Sequence, residues 1–151
     1  MAIFLVQHGV SLKKDEDPQK GLSKNGREHT AKIADVAKFY QIPVAKICHS
    51  GKTRALQTAQ IFAEVLDIKE GLQEIKNINP LDDVTLFADM VDPASNMMIV
   101  GHLPHMEKLV SYLTCGDERK RVLKFQNSGI VCLECEDGDW FIKWTLNPNI
   151  S

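Results

Sequence analysis

The chain has 151 residues, 44% of them hydrophobic and 25% charged, which suits one folded domain (residues 1–151) and excludes a disordered chain. Its net charge is -2, with no Lys/Arg run and no basic stripe interleaved with aromatics, which argues against nucleic acid as a partner. No apolar stretch approaches the roughly 20 residues of a membrane span.

The N-terminus also lacks a secretory signal, and four cysteines are too few for a disulfide framework. The expectation is a soluble cytoplasmic domain with reduced thiols and no membrane partner. In chain order, residues 2–6 read as a buried strand, because a short continuous apolar run suits a covered sheet. Residues 10–22 read as a loop. Ser23 or Asn25 caps a helix through Tyr40, with Asn25-x-x-Glu28 resembling a capping box, and Ala31, Ile33, Ala34, Ala37 and Phe39 form its apolar positions. Val44–Cys48 reads as a second strand and Lys52–Leu66 as a helix with one apolar face.

Residues 67–79 are ambiguous between a short strand and a loop. Pro80 opens a helix ending near Met90. Met97–Val100 reads as another buried strand, with a helix from Pro104 to about Leu113. Ser128–Cys135 and Trp140–Leu146 read as strands joined by Glu136-Asp137-Gly138-Asp139, a hairpin signal. The alternation of strands and helices predicts an α/β fold: a three-layer α/β/α sandwich with a mostly parallel sheet and an antiparallel C-terminal hairpin.

In such sheets ligands sit outside the carboxyl ends of the strands. Three polar clusters fall there: Gln7-His8-Gly9, His49-Ser50-Gly51 and Gly101-His102. The neighbouring glycines permit close approach of a ligand. Arg54, near the start of the helix after Ser50, adds a five-donor fork to the unpaired N–H groups there. Two imidazoles, a guanidinium and a helix N-terminus suit a tetrahedral dianion. A neutral histidine facing a bound phosphoryl group can attack it and carry it covalently. Its other ring nitrogen then holds the proton, most simply against a backbone carbonyl.

Metal readings are weaker. His49, His102 and His105 share no ligand spacing, and Cys132 and Cys135 on a strand point to opposite faces. No metal site and no cofactor is expected.

The strings Gln7-His8-Gly9, Leu22-Ser23 with Gly26, Ser50 with Arg54-Ala55 and Gln57-Thr58-Ala59, Leu72-x-Glu74, Gly101-His102-Leu103-Pro104 and Asn127-Ser128-Gly129-Ile130 run in an order that resembles the histidine phosphatase superfamily. More narrowly, nearly the whole chain resembles the SixA-type phosphohistidine phosphatases. The resemblance implies a phosphoglycerate mutase-like fold and a metal-independent phosphatase. It makes His8 the phosphorylated nucleophile, Arg54 the grip on the phosphoryl oxygens and His102 the stabiliser of the charge building on them. Glu74 sits where larger relatives carry a general acid, with Asp17 as a second candidate.

The sequence departs from the family at one motif position, where Gln7 replaces the arginine of Arg-His-Gly. Lys20, on the loop before Leu22, is a candidate to restore the charge. Gln7, Gly9, Lys20 and Ser50 are thus the expected substrate-binding residues. The expected partner is a phosphorylated protein, such as a histidine-phosphotransfer domain in signal transduction, or a small phosphorylated molecule, with phosphate as product. The rival readings are a phosphate- or phosphoprotein-binding pseudophosphatase, a small-molecule phosphomonoesterase and metal-dependent hydrolysis, which a chelator would abolish.

Overall fold

A computed structural model describes residues 1–149. Ten elements follow one another: β1 (Ile3–Gln7), α1 (Lys24–Phe39), β2 (Lys46–His49), α2 (Thr53–Val65), β3 (Leu72–Glu74), α3 (Val84–Ala88), β4 (Met97–Gly101), α4 (His105–Cys115), β5 (Ile130–Glu136) and β6 (Asp139–Leu146). They form one six-stranded sheet in the order β3-β2-β4-β1-β5-β6. The first four strands are mutually parallel, while β5 runs antiparallel to β1 and β6 antiparallel to β5.

Alternation along β1 divides the core in two. Phe4 and Val6 face Ile33, Ala34, Ala55 and Phe62 of α1 and α2. Ile3 and Leu5 face Val84, Phe87, Met106 and Leu109 of α3 and α4. Strand residues on both faces are therefore buried, which is why β1 and β4 read as unbroken apolar runs. A large side chain fully removed from water in this way contributes about 1.5–3 kcal/mol. The result is the expected α/β/α sandwich with its C-terminal hairpin. The hairpin closes through Asp137 at φ 50 and Gly138 at φ 88, the positive values that a two-residue turn of this hand requires.

Several boundaries differ from the sequence reading. The ambiguous segment holds β3, whose three residues are too short and too exposed to show a period. The helix expected from Pro80 begins only at Val84, because Asp82 accepts the Asn79 N–H and Asp83 caps α3 by accepting the Thr85 N–H. Ser23, not Asn25, caps α1, accepting the Gly26 N–H at 3.0 Å. Phe39 is 80% exposed rather than part of the apolar face; it lies in the last turn and meets the Tyr40 ring edge-on at 5.4 Å. Pro104 precedes α4 as its cap residue, and the strand expected from Ser128 starts at Ile130, since Ser128 takes a left-handed φ of 67.

The strand directions bring the carboxyl ends of β1, β2, β3 and β4 to one edge. The antiparallel β5 begins at that same edge. His8, His49, Glu74, His102 and Asn127 therefore share it without being neighbours in sequence.

Candidate active site

His8 follows β1 directly and is held by the backbone on both sides. Its N–H donates to the Gly101 carbonyl at 3.1 Å, and its own carbonyl accepts from Asn127 Nδ2 at 2.9 Å. The next amide, Gly9 N–H, donates to Thr58 Oγ1 at 2.9 Å, while the Thr58 hydroxyl donates to the Arg54 carbonyl at 2.8 Å. Thr58 thus ties the loop after β1 to the first turn of α2. A Cβ on Gly9 would stand 2.9 Å from Thr30 Oγ1 and 3.1 Å from the Gly26 carbonyl. That leaves no space for a side chain behind His8.

The His8 ring lies 2.7 Å from its neighbour's carbonyl, through Nδ1 to Gly9 O. A carbonyl only accepts, so Nδ1 carries the proton and Nε2 keeps its lone pair. Burial is the main force that lowers the His8 pKa from 6.5 to about 4. The positive charges of Arg54 and Lys20 act the same way, and the Gly9 bond opposes them. At neutral pH the ring is an uncharged base with a free nitrogen.

The His102 ring stands beside it, centroid to centroid 5.1 Å, tilted by 50°. Its Nε2 lies 2.6 Å from Ser50 Oγ. Burial, then His8, Arg54, Lys52 and His105, lower its pKa to about 3. Its Nδ1 is buried without a hydrogen-bond partner among the described residues. Arg54, the second residue of α2, is half-buried, and desolvation lowers its pKa. Such a guanidinium retains its charge at any ordinary pH.

Of the residues singled out from the sequence, His8, Gly9, Ser50, Arg54 and His102 come together at this edge. Lys20 comes close enough for its charge to bear on the His8 ring; it is half-buried and held at φ 52. Gln7 ends β1. Its Oε1 is buried with no partner among the described residues, and its backbone carbonyl accepts from the Ser128 N–H at 2.9 Å. Glu74 is not bonded to either histidine. It is exposed at the end of β3, and its carboxylate fills the space where a Cβ on Gly51 would stand. Asp17 accepts the Gln19 and Gly21 N–H groups, so it shapes its own loop.

Three contributors escaped the sequence reading as individuals. Thr58 and Asn127 are visible in the sequence only as members of their strings, and His49 as a strand-end histidine weighed against a metal site, not as a support of the turn that follows it. No cluster of three or more His, Cys, Asp or Glu stands together as a metal site among the described residues. A cavity of about 580 Å³, lined by Phe4, Tyr40, Pro43 and Trp144 among others, includes none of His8, Arg54 and His102.

The family model for the histidine phosphatase superfamily (branch 1) matches residues 3–79, just over half of the chain. The chain belongs to the histidine phosphatase superfamily. The chain is 23% identical over 154 residues to the phosphohistidine phosphatase SixA of Escherichia coli (strain K12), across 98% of this chain and 94% of that protein. A solved structure of the protein histidine phosphatase SixA complexed with tungstate superimposes with a TM-score of 0.85 at 22% identity, covering 98% of this chain and 97% of that one. Phosphoglycerate mutase from Bacillus anthracis str. Sterne matches with a TM-score of 0.73 at 13% identity, covering 95% of this chain and 91% of that one. At these identities the structural matches show the shared fold.

Proposed function

We propose that the protein hydrolyses phosphohistidine in a phosphorylated protein, through a covalent phosphohistidine on His8. The observation that carries the reading is the His8 ring itself. It is neutral, its proton is held on Nδ1 by the Gly9 carbonyl, and its Nε2 is free in a site with the Arg54 charge beside it. Nε2 attacks phosphorus as the P–N bond to the substrate imidazole breaks. The substrate imidazole, already protonated by solvent on its other ring nitrogen, departs as neutral imidazole, a weakly basic leaving group. Water then attacks the phosphorus on His8, loses a proton, and phosphate leaves as the Nε2–P bond breaks.

In this reading Arg54 grips the equatorial oxygens, and Lys20 supplies the second positive charge that Gln7 does not. The bonded pair of neutral His102 and Ser50 has one proton left over to donate to the charge that builds. These groups meet the phosphoryl charge, so the reaction is proposed to run without a metal. Glu74 makes no hydrogen bond to His8 among the described residues and packs against Gly51 instead, and a phosphoramidate needs no strong acid. This favours phosphohistidine over an alkoxide ester. The name of the Escherichia coli relative supports the same substrate class.

One observation favours a second reading. Gln7 is uncharged and has a buried, unpartnered Oε1, which fits a phosphoprotein-binding pseudophosphatase. A single experiment separates the two. The protein is mixed with phosphoramidate and quenched in alkali to preserve P–N bonds, and the peptides are then read by mass spectrometry. A phosphoryl group on His8 that rises and decays with donor consumption, and is absent in His8→Ala, is the expected result. Phosphate binding with no adduct and no donor consumed would overturn catalysis and leave the binder.

A further inference from the structure

His49 closes β2 and lies outside the strings that carry the family resemblance. It is 6% exposed. Its Nδ1 stands 3.0 Å from the Gly51 N–H. A backbone N–H only donates, so Nδ1 is the acceptor and the ring proton resides on Nε2. His8 and His49 therefore hold opposite tautomers, one as a donor to a carbonyl and the other as an acceptor from an amide.

The His49 bond closes a tight turn. Gly51 adopts φ 89 in that turn, a conformation that side-chain-bearing residues rarely enter, and the Glu74 carboxylate packs into the space a Cβ would need. Ser50 is the residue spanned by the bond. Its hydroxyl lies 2.6 Å from His102 Nε2. Immediately after Gly51 come Lys52, which caps α2, and then Thr53 and Arg54. One imidazole acceptor thus fixes the turn that aims Ser50 at His102 and opens the helix bearing Arg54.

We propose that His49 is a positioning residue of the oxyanion site: its neutral ring holds the Ser50–Gly51 turn, and protonation at Nδ1 releases it. The proposal rests on the reading that Arg54, His102 and His8 receive a phosphoryl group. A protonated Nδ1 would set two N–H groups against each other, removing the bond that the ring makes to the Gly51 N–H. The charged group that acts on the ring is Glu74 on β3; the neutral His102 faces it across Ser50, and Lys52 and Arg54 follow Gly51 in the chain. Glu74 favours the imidazolium, but burial opposes it more strongly, and the His49 pKa is lowered. The turn is therefore intact at neutral pH and opens as pH falls through the His49 pKa.

Sulfate is a suitable probe, because it stays a tetrahedral dianion across the range in which imidazoles titrate. Its binding is measured by calorimetry between about pH 5 and pH 8 for the wild type, His49→Ala and His49→Asn. The asparagine Oδ1 can accept the same N–H but does not titrate. At the upper pH, His49→Ala should bind about three- to tenfold more weakly, the worth of one hydrogen bond. His49→Asn should stay within about threefold of the wild type and lose the acid-side decline that the wild type shows. Imidazole ¹⁵N spectra of the wild type should give the Nε2–H tautomer for His49.

Wild-type affinity in His49→Ala, a preserved acid decline in His49→Asn, or an Nδ1–H tautomer would each overturn the proposal. If His49→Ala does not fold, the asparagine profile and the tautomer decide it. Sulfate binding that responds to His49 in a protein that never turns over phosphoramidate would sink the catalytic reading and leave this role standing. Turnover that is indifferent to His49 would do the reverse.

Discussion

A Cβ added to Gly26 would run into the Val10 carbonyl, whereas one added to Gly138 in the β5–β6 turn would meet nothing within 4 Å. The two glycines sit at different kinds of place. Around the histidines, backbone presses on backbone: the first turn of α1 lies against the chain leaving His8, and Gly9 in turn lies against Thr30 and Gly26. At the hairpin, the requirement is only the sign of φ. The histidine edge is built from long-range contacts that leave no slack, while the hairpin is built from local rules and an exposed Lys143–Glu134 pair at 2.7 Å. Such exposed pairs contribute about 0–1 kcal/mol. The site's geometry therefore depends on residues that never touch a ligand, and the hairpin's does not.

The largest effect that would sharpen this contrast is on the site side. Arg54→Ala should cut turnover of phosphoramidate by about 10²–10³, the cost of losing one preorganised oxyanion donor. Its folding stability should stay close to that of the wild type, because the side chain is only half-buried. Steady-state kinetics and a urea melt on the same preparation would show both. A loss of less than tenfold in turnover would remove Arg54 from the phosphoryl site.

The paired glycines give the next effect. Gly26→Ala forces a methyl against backbone that cannot rotate away, so it should cost about 1–3 kcal/mol of stability and lower turnover with it. Gly138→Ala should cost about 1–2 kcal/mol from the left-handed conformation alone, with turnover at the wild-type level. Denaturant melts and kinetics on the two variants test the difference between the regions directly. Equal losses of turnover in both would break the comparison.

The smallest effect is in the acid range. The His8 and His102 pKa values fall from 6.5 to about 4 and about 3 in the folded chain. Between those limits the unfolded chain binds protons that the folded chain refuses, so stability decreases as pH drops from about 6.5 and levels off below about 3. Above about 6.5 both states are neutral and these rings add no slope. Residues 130–146 of the hairpin contain no histidine. Urea midpoints taken across this range should slope in the wild type and slope less in a His8→Asn, His102→Asn double variant. An unchanged slope in the variant would mean that these rings are not the source.

Much of the fold could be read from runs and breaks in the sequence. β1 and β4 declared themselves as unbroken apolar strands, and Asp137-Gly138 declared the hairpin. β3 did not, because three residues, two of them exposed, carry no period. The length of α3 was overestimated because Pro80 permits a helix start without requiring one, and the Asp82 and Asp83 side chains delay it. For the site, the strings around His8, Arg54 and His102 were legible because each sits at the end of a recognisable strand or the head of a helix. Their supports were not. Thr58 lies 49 positions from Gly9, and Asn127 lies 119 from His8. Nothing local marks a residue whose partner is chosen by how the sheet assembles. Gln57, whose Oε1 accepts the Leu22 N–H at 2.7 Å, belongs to the same class.

The sheet order sets β1 between the parallel β4 and the antiparallel β5, so the strand that leads directly into His8 has a bonded neighbour on each side. Amides in such a strand exchange with solvent only when a large part of the fold opens, whereas the loop of residues 13–20 can fray at little cost. Lys20 belongs to the second group and His8 to the first. The two sides of the phosphoryl site are thus held differently. The nucleophile is tied into the sheet, whereas the Lys20 charge facing it stands on a largely exposed loop held by hydrogen bonds of its own.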